Sequence, residues 1–167
     1  IIAIVCIFYS QNLMELLYTI QDNESIETYN LRITESSNIL KILMGSFVSI
    51  SVTYIFGTLL TANGNLKQLN IVAAVGVVIN LTLNFIFIPV FEAKGAAMTS
   101  LCVQFATCAI QFFIAKRIFN LKFGISFWIS ILSFIILLVT TTSLLKSSDM
   151  YWLTSFIISL GLGIVLA

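Results

Sequence analysis

The chain has 167 residues, eight basic and seven acidic for a net charge of +1, and no histidine. Hydrophobic residues make up 59% and charged residues 9%, against about 45–50% and about 25% in a soluble domain. So little charge cannot cover a water-facing surface, which argues against a soluble enzyme domain, a nucleic-acid binder or a disordered tail and points to an integral membrane protein.

The charged residues mark out the segments. Residues 1–14 carry none, and 25 uncharged residues separate Lys41 from Lys67, 24 separate Lys67 from Glu92, 21 separate Lys94 from Lys116 and 23 separate Lys122 from Lys146. The last 18 residues are again uncharged. A membrane-crossing helix needs about 20 mostly apolar residues. Both faces of these runs are apolar, as in Phe134–Val139, whereas barrel strands alternate. The expected fold is therefore all-α, a polytopic bundle of six transmembrane helices near 1–19, 38–62, 68–90, 95–117, 124–145 and 150–167, forming one membrane domain. The chain starts and stops inside apolar runs, which reads as a piece of a longer membrane protein.

In chain order, the first span carries Glu15 near its outer end, an interfacial position. Ser36, Ser37 or Asn38 is placed to cap the second helix. That helix repeats Ser49, Thr53, Gly57 and Thr61 at four-residue spacing, which puts them on one face. Asn63-Gly64-Asn65 is a tight-turn signal. The third helix repeats Gly76, Asn80 and Asn84, and Pro89 is expected to end or kink it. Gly95-Ala96-Ala97 opens the fourth helix, whose Ala96, Ser100, Gln104 and Cys108 share a face, with Gln111 close by. The sixth lines up Ser155, Ser159 and Gly163. Small residues in membranes let helices approach and amides hydrogen-bond across the contact; the same stripes also suit the wall of a polar cavity. Asn80, Asn84, Gln104 and Gln111 are the candidate cavity residues, because an amide is costly to hide in lipid.

Without histidine, His-dependent nucleophilic catalysis and His-ligated metal are excluded within the chain. Cys6, Cys102 and Cys108 lie in apolar surroundings without zinc spacing, and read as small buried residues. No Asp, Glu, Lys or Arg falls in the interior of a span, Glu15 being the nearest case, so neither an intramembrane enzyme nor an ion site is indicated. No cofactor is implied. The loops 63–67 and 116–123 carry Lys67, Lys116, Arg117 and Lys122 without acids, while 20–41, 91–95 and 146–149 carry four bases and six acids, Asp22 and Asp149 among them. The higher basic density places 63–67 and 116–123 in the cytoplasm and 20–37 outside.

Three motifs stand in order: Leu60-Thr61-Ala62-Asn63-Gly64-Asn65-Leu66-Lys67 (LxAxGxxK), Asn80 to Pro89 (NxxLNxxxIP) and Gly95-Ala96-Ala97-Met98-Thr99-Ser100 (GAAxxS). With Gly57 preceding them, they resemble the polysaccharide transporters of the multidrug/oligosaccharidyl-lipid/polysaccharide exporter superfamily, nearest the Wzx-type flippases of O-antigen and capsule pathways. The resemblance covers Tyr54 to Ile118. It implies a two-lobed, MATE-like transporter of the bacterial inner membrane, of which this chain is the C-terminal lobe. It further implies that lipid-linked oligosaccharide is the cargo, that the bilayer and the N-terminal lobe are partners, that 63–67 is cytoplasmic, and that cationic cargo-binding groups lie mainly outside this segment. By analogy with related lipid flippases, 124–145 and 150–167 would form a groove for the lipid tail. A drug/cation antiporter of the same superfamily and a non-transporting membrane subunit or anchor are the alternatives.

Overall fold

The computed structural model describes residues 1–20, 24–148 and 151–166. Every element among them is helical: α1 (Ile2–Phe8), α2 (Ser10–Leu17), α3 (Ile26–Ala62), α4 (Leu66–Ile118), α5 (Ile125–Ser147) and α6 (Trp152–Leu166). α3, α4 and α5 are each long and apolar enough to cross a membrane. Large apolar side chains stand exposed along them, Phe85 at 81% and Tyr54 at 73% among them. An exposed apolar surface of this extent marks a face that lipid or another protein covers. The helices divide into two compact units, Ile1–Met44 with Phe123–Ala167, and Gly45–Lys122.

In the first unit, α5 and α6 run antiparallel, and α1 lies against both. The stripe Ser155, Ser159 and Gly163 is buried, and a Cβ on Gly163 would meet Ile1 Cγ2 at 2.5 Å and Leu138 Cδ1 at 3.2 Å. This stripe is thus a packing face, with the Ser159 hydroxyl returned to its own helix at Ser155 O, 2.7 Å. The expected first span is broken: Tyr9 (φ −103, ψ 18) separates α1 from α2. Neither proline nor glycine makes the break. It is held by side chains from three other helices. Lys146 Nζ donates to Phe8 O at 2.6 Å, Phe156 meets the Tyr9 ring edge-on at 5.7 Å, and Ser10 bonds Ser37 at 2.8 Å in a buried contact.

The second expected helix, 38–62, starts twelve residues early, at Ile26. Ser36, Ser37 and Asn38 are mid-helix, and Ser25 does the capping, its Oγ accepting from Thr28 N at 3.2 Å. The polar residues 26–37 were expected to form a loop because they interrupt the apolar pattern. Helices, however, need a cap and tolerable propensities rather than lipid, and polar residues extend them readily. Arg32 fastens this polar start. Its guanidinium donates to Glu24 through Nε (3.0 Å) and Nη2 (2.7 Å) and to Thr19 O (3.2 Å), between the rings of Tyr18 and Tyr29. Asp22 and Asp149 lie outside the described residues.

In the second unit, α3 ends in a Schellman motif. Asn65 N bonds Leu60 O and Gly64 N bonds Thr61 O, both at 3.0 Å, with Gly64 at φ 78. Two backbone donors thereby satisfy carbonyls that the helix end leaves over. α4 then runs out and back. Glu92 (φ 50, ψ −128) interrupts it with the torsions of the first central residue of a type II′ turn. The expected helices 68–90 and 95–117 are its two arms. The helix passes through Pro89, and the reversal comes at Glu92. The second arm continues through Lys116 and Arg117, which form the last turn of α4 rather than a loop. It closes at Asn120 (φ 48), with Leu121 N on Lys116 O at 3.2 Å.

Gly95 permits the reversal. A Cβ there would fall inside contact distance of the Phe87 carbonyl, a backbone group that cannot swing aside. Gly95→Ala is expected to lower stability by about 1–3 kcal/mol. Gly161→Ala, with nothing within 4 Å, should be neutral or slightly stabilising. Glu92→Gly should stabilise by about 1 kcal/mol, since it relieves a left-handed conformation of a non-glycine residue. Thermal unfolding of the three variants in one detergent checks the set; an unchanged midpoint for Gly95→Ala would refute the close approach.

Candidate functional site

The hairpin brings the two arms of α4 together at small residues, and the end of α3 joins them. A Cβ on Gly76 would lie 3.0 Å from Thr107 Cγ2 and 3.9 Å from Val103 Cγ1. One on Gly57 would lie 3.3 Å from Gln111 Oε1, and one on Gly45 3.3 Å from Leu101 Cδ1. Phe56 and Phe112 meet edge-on at 5.3 Å. Three helical segments of one unit thus approach closely along a glycine seam, and the larger side chains beside it leave a gap.

That gap is an open cleft of about 350 Å³, whose polar wall is Thr53, Asn80, Gln104, Thr107 and Gln111. Small-ligand sites run from about 300 to 1,000 Å³. Three of the four amides singled out in the sequence therefore share one site: Asn80 from the first arm, and Gln104 and Gln111 from the second. The fourth, Asn84, does not line it. Its Nδ2 donates to Asn80 Oδ1 at 2.9 Å, and it borders a separate apolar hollow of about 290 Å³ beside Leu81, Phe85, Ile88 and Pro89. Asn84 acts on the cleft through Asn80, taking one of the two acceptor sites of its oxygen and leaving both amide hydrogens of its nitrogen as donors.

The remaining groups divide by whether they are already used. Thr107 spends its hydroxyl on its own helix, at Val103 O (2.9 Å) and Gln104 O (3.1 Å). Thr53 Oγ1 and Gln111 Oε1 are buried with no hydrogen-bond partner among the described residues, and Gln111 as a whole is only 9% exposed. A buried acceptor without a partner costs about 1–3 kcal/mol. Gln111 Oε1 lies close against Gly57, where a Cβ would stand 3.3 Å away and the amide would have to give by a few tenths of an ångström.

Thr107 was missed in the sequence, although its spacing of three from Gln104 and four from Gln111 put it on their face. Ser100 and Cys108, placed on the Gln104 stripe, do not line the cleft. Gly57, Asn63, Gly64, Pro89 and Gly95 take structural positions: Gly57 admits Gln111, Gly64 closes α3, Asn63 Nδ2 donates to Asn65 Oδ1 at 2.6 Å, Pro89 sits one turn before the reversal, and Gly95 meets the Phe87 backbone. Among the described residues, the cleft wall has no acid, base or thiol. It offers neutral donors and acceptors, which bind and orient but do not transfer protons. Among the described residues no group of three or more His, Cys, Asp or Glu is placed to hold a metal ion. No known protein family, curated protein or solved structure matches the chain.

Two substitutions separate a packing role from a binding role. Asn80→Leu removes the i,i+4 bond from Asn84 within the first arm and should cost about 0.2–0.5 kcal/mol, the scale of a side-chain pair along one helix. Gln111→Leu removes an unsatisfied buried oxygen at similar volume and should hold or raise stability by up to about 1 kcal/mol. Unfolding midpoints in detergent check both. A clear loss of stability for Gln111→Leu would show that its amide is a structural bond.

Proposed function

We propose that this chain is the C-terminal lobe of a two-lobed transporter that carries lipid-linked oligosaccharide across the bacterial inner membrane by alternating access. The observation that carries the proposal is the cleft of neutral amides and hydroxyls among helices whose outer faces are apolar. A large polar head group crosses hydrocarbon only inside a polar enclosure, and paired lobes that open to one side at a time supply one. The lipid tail meanwhile stays in the bilayer. Of the three motifs that suggested the transporter family, one closes α3, one supplies Asn80 to the cleft, and one begins with the glycine that permits the return arm.

An antiporter of drugs or cations needs an acidic group within the bundle to exchange with Na⁺ or H⁺, and the cleft wall contains none. In this reading the turn at 63–67 and the segment 116–123 face the cytoplasm, 20–37 faces outside, and the N-terminal lobe of the same protein completes the cavity. α5 and α6 border the lipid tail.

Deleting the full gene should abolish long-chain surface polysaccharide and leave lipid-linked repeat units in the inner leaflet. The wild-type gene should restore it. A deletion that changes drug or cation tolerance while surface polysaccharide stays normal would favour the antiporter. A single cysteine at position 64, in a background without Cys6, Cys102 and Cys108, should react with an impermeant maleimide only after the cells are permeabilised. Labelling in intact cells would invert the topology.

A further inference from the structure

The cleft has a selectivity of its own, which follows from what its wall lacks. Its acceptors include Gln111 Oε1 and Thr53 Oγ1, both buried and unpartnered, and its donors include the Asn80 nitrogen, whose amide is oriented by the bond that Asn84 donates to the Asn80 oxygen. Among the described residues no charged side chain lines it. We infer that this cleft holds an uncharged, hydroxyl-bearing ring of the ligand, anchored on the Gln111 amide, and rejects ionised groups such as phosphate.

Hydroxyl groups both donate and accept, so one ring hydroxyl can meet the Gln111 oxygen while another accepts from Asn80. A site whose buried polar groups are left unpaired by the wrong ligand discriminates strongly against it. An ionised phosphate entering the same space would give up its hydration and find no cation to replace it, which is a far larger penalty than for a neutral group. Apolar Val72 and Val103 on the same wall suit the C–H faces of a ring. The assignment of this ring to the sugar of a transported lipid rests on the transport reading. The neutral selectivity rests on the cleft alone.

The test uses the whole chain in detergent micelles, with ¹⁵N-labelled side-chain amides, titrated separately with N-acetylglucosamine and with inorganic pyrophosphate. The sugar should shift the Gln111, Gln104 and Asn80 amide signals with a millimolar dissociation constant, and pyrophosphate at the same concentrations should leave them in place. Gln111→Leu should weaken the sugar about tenfold, the effect of losing one well-placed hydrogen bond. Thr53→Val should weaken it in the same direction, which covers the case in which Gln111→Leu does not fold. Shifts with pyrophosphate, or no shift with the sugar, would overturn the inference. If the sugar binds but the gene deletion leaves surface polysaccharide intact, the neutral site stands and the transport reading falls.

Discussion

The second unit depends on one close approach, Gly95 against the carbonyl of Phe87. A 53-residue helical element left straight would be about 80 Å long at about 1.5 Å per residue, well beyond a hydrocarbon layer of about 30 Å. Turning back at Glu92 gives two arms that each suit that thickness. The turn alone would only reverse the direction of the chain. The missing Cβ at Gly95 lets the return arm lie against the outgoing backbone, and that proximity sets the register in which Gly76 faces Val103 and Thr107. Asn80, Gln104 and Gln111 share a wall because of that register.

The polar groups of the unit follow a consistent rule. Hydroxyls facing the apolar surface return to their own helices, as Thr58 does to Tyr54 O and Ile55 O, Thr82 to Val78 O and Ser51 to Phe47 O. Such bonds hide a donor without a partner helix. Four groups depart from it, buried and unspent: Thr53 and Gln111 on the cleft, and Gln68 and Thr99 away from it. Proteins commonly keep such destabilising features where a ligand uses them. Of the four, Thr53 and Gln111 are the ones that also border the cleft beside the glycine seam.

The first unit solves a different problem. Its first helix breaks at Tyr9, and the break is supported by an amine, an aromatic edge and a buried hydroxyl pair from α5, α6 and α3. A carbonyl freed by a break needs a donor, and Lys146 supplies it to Phe8. The same unit shows why a small-residue stripe is an ambiguous signal. Ser155, Ser159 and Gly163 look in sequence like Gly76, Asn80 and Asn84, yet the former are buried, with Ile1 and Leu138 against Gly163, whereas Gly76 and Asn80 border the cleft and Asn84 the neighbouring hollow.

The all-helical character, the apolar outer surface and the turn at Gly64 were determined by the sequence itself, since composition, span length and glycine chemistry act locally. The amides at 80, 104 and 111 could be singled out because a polar group in an apolar helix is costly wherever the helix packs. Tertiary structure decided the rest. Charge pattern alone made residues 26–37 a loop, although Ser25 caps them into helix. Proline chemistry suggested an end or kink at 89, yet the helix runs through Pro89 to the reversal at Glu92, inside the expected connection 91–95. Only the fold could show that Asn84 serves Asn80 and that Thr107 joins the wall. A helical face says which residues point the same way, but what stands opposite them depends on register between helices, and that is fixed by steric fit at a few atoms.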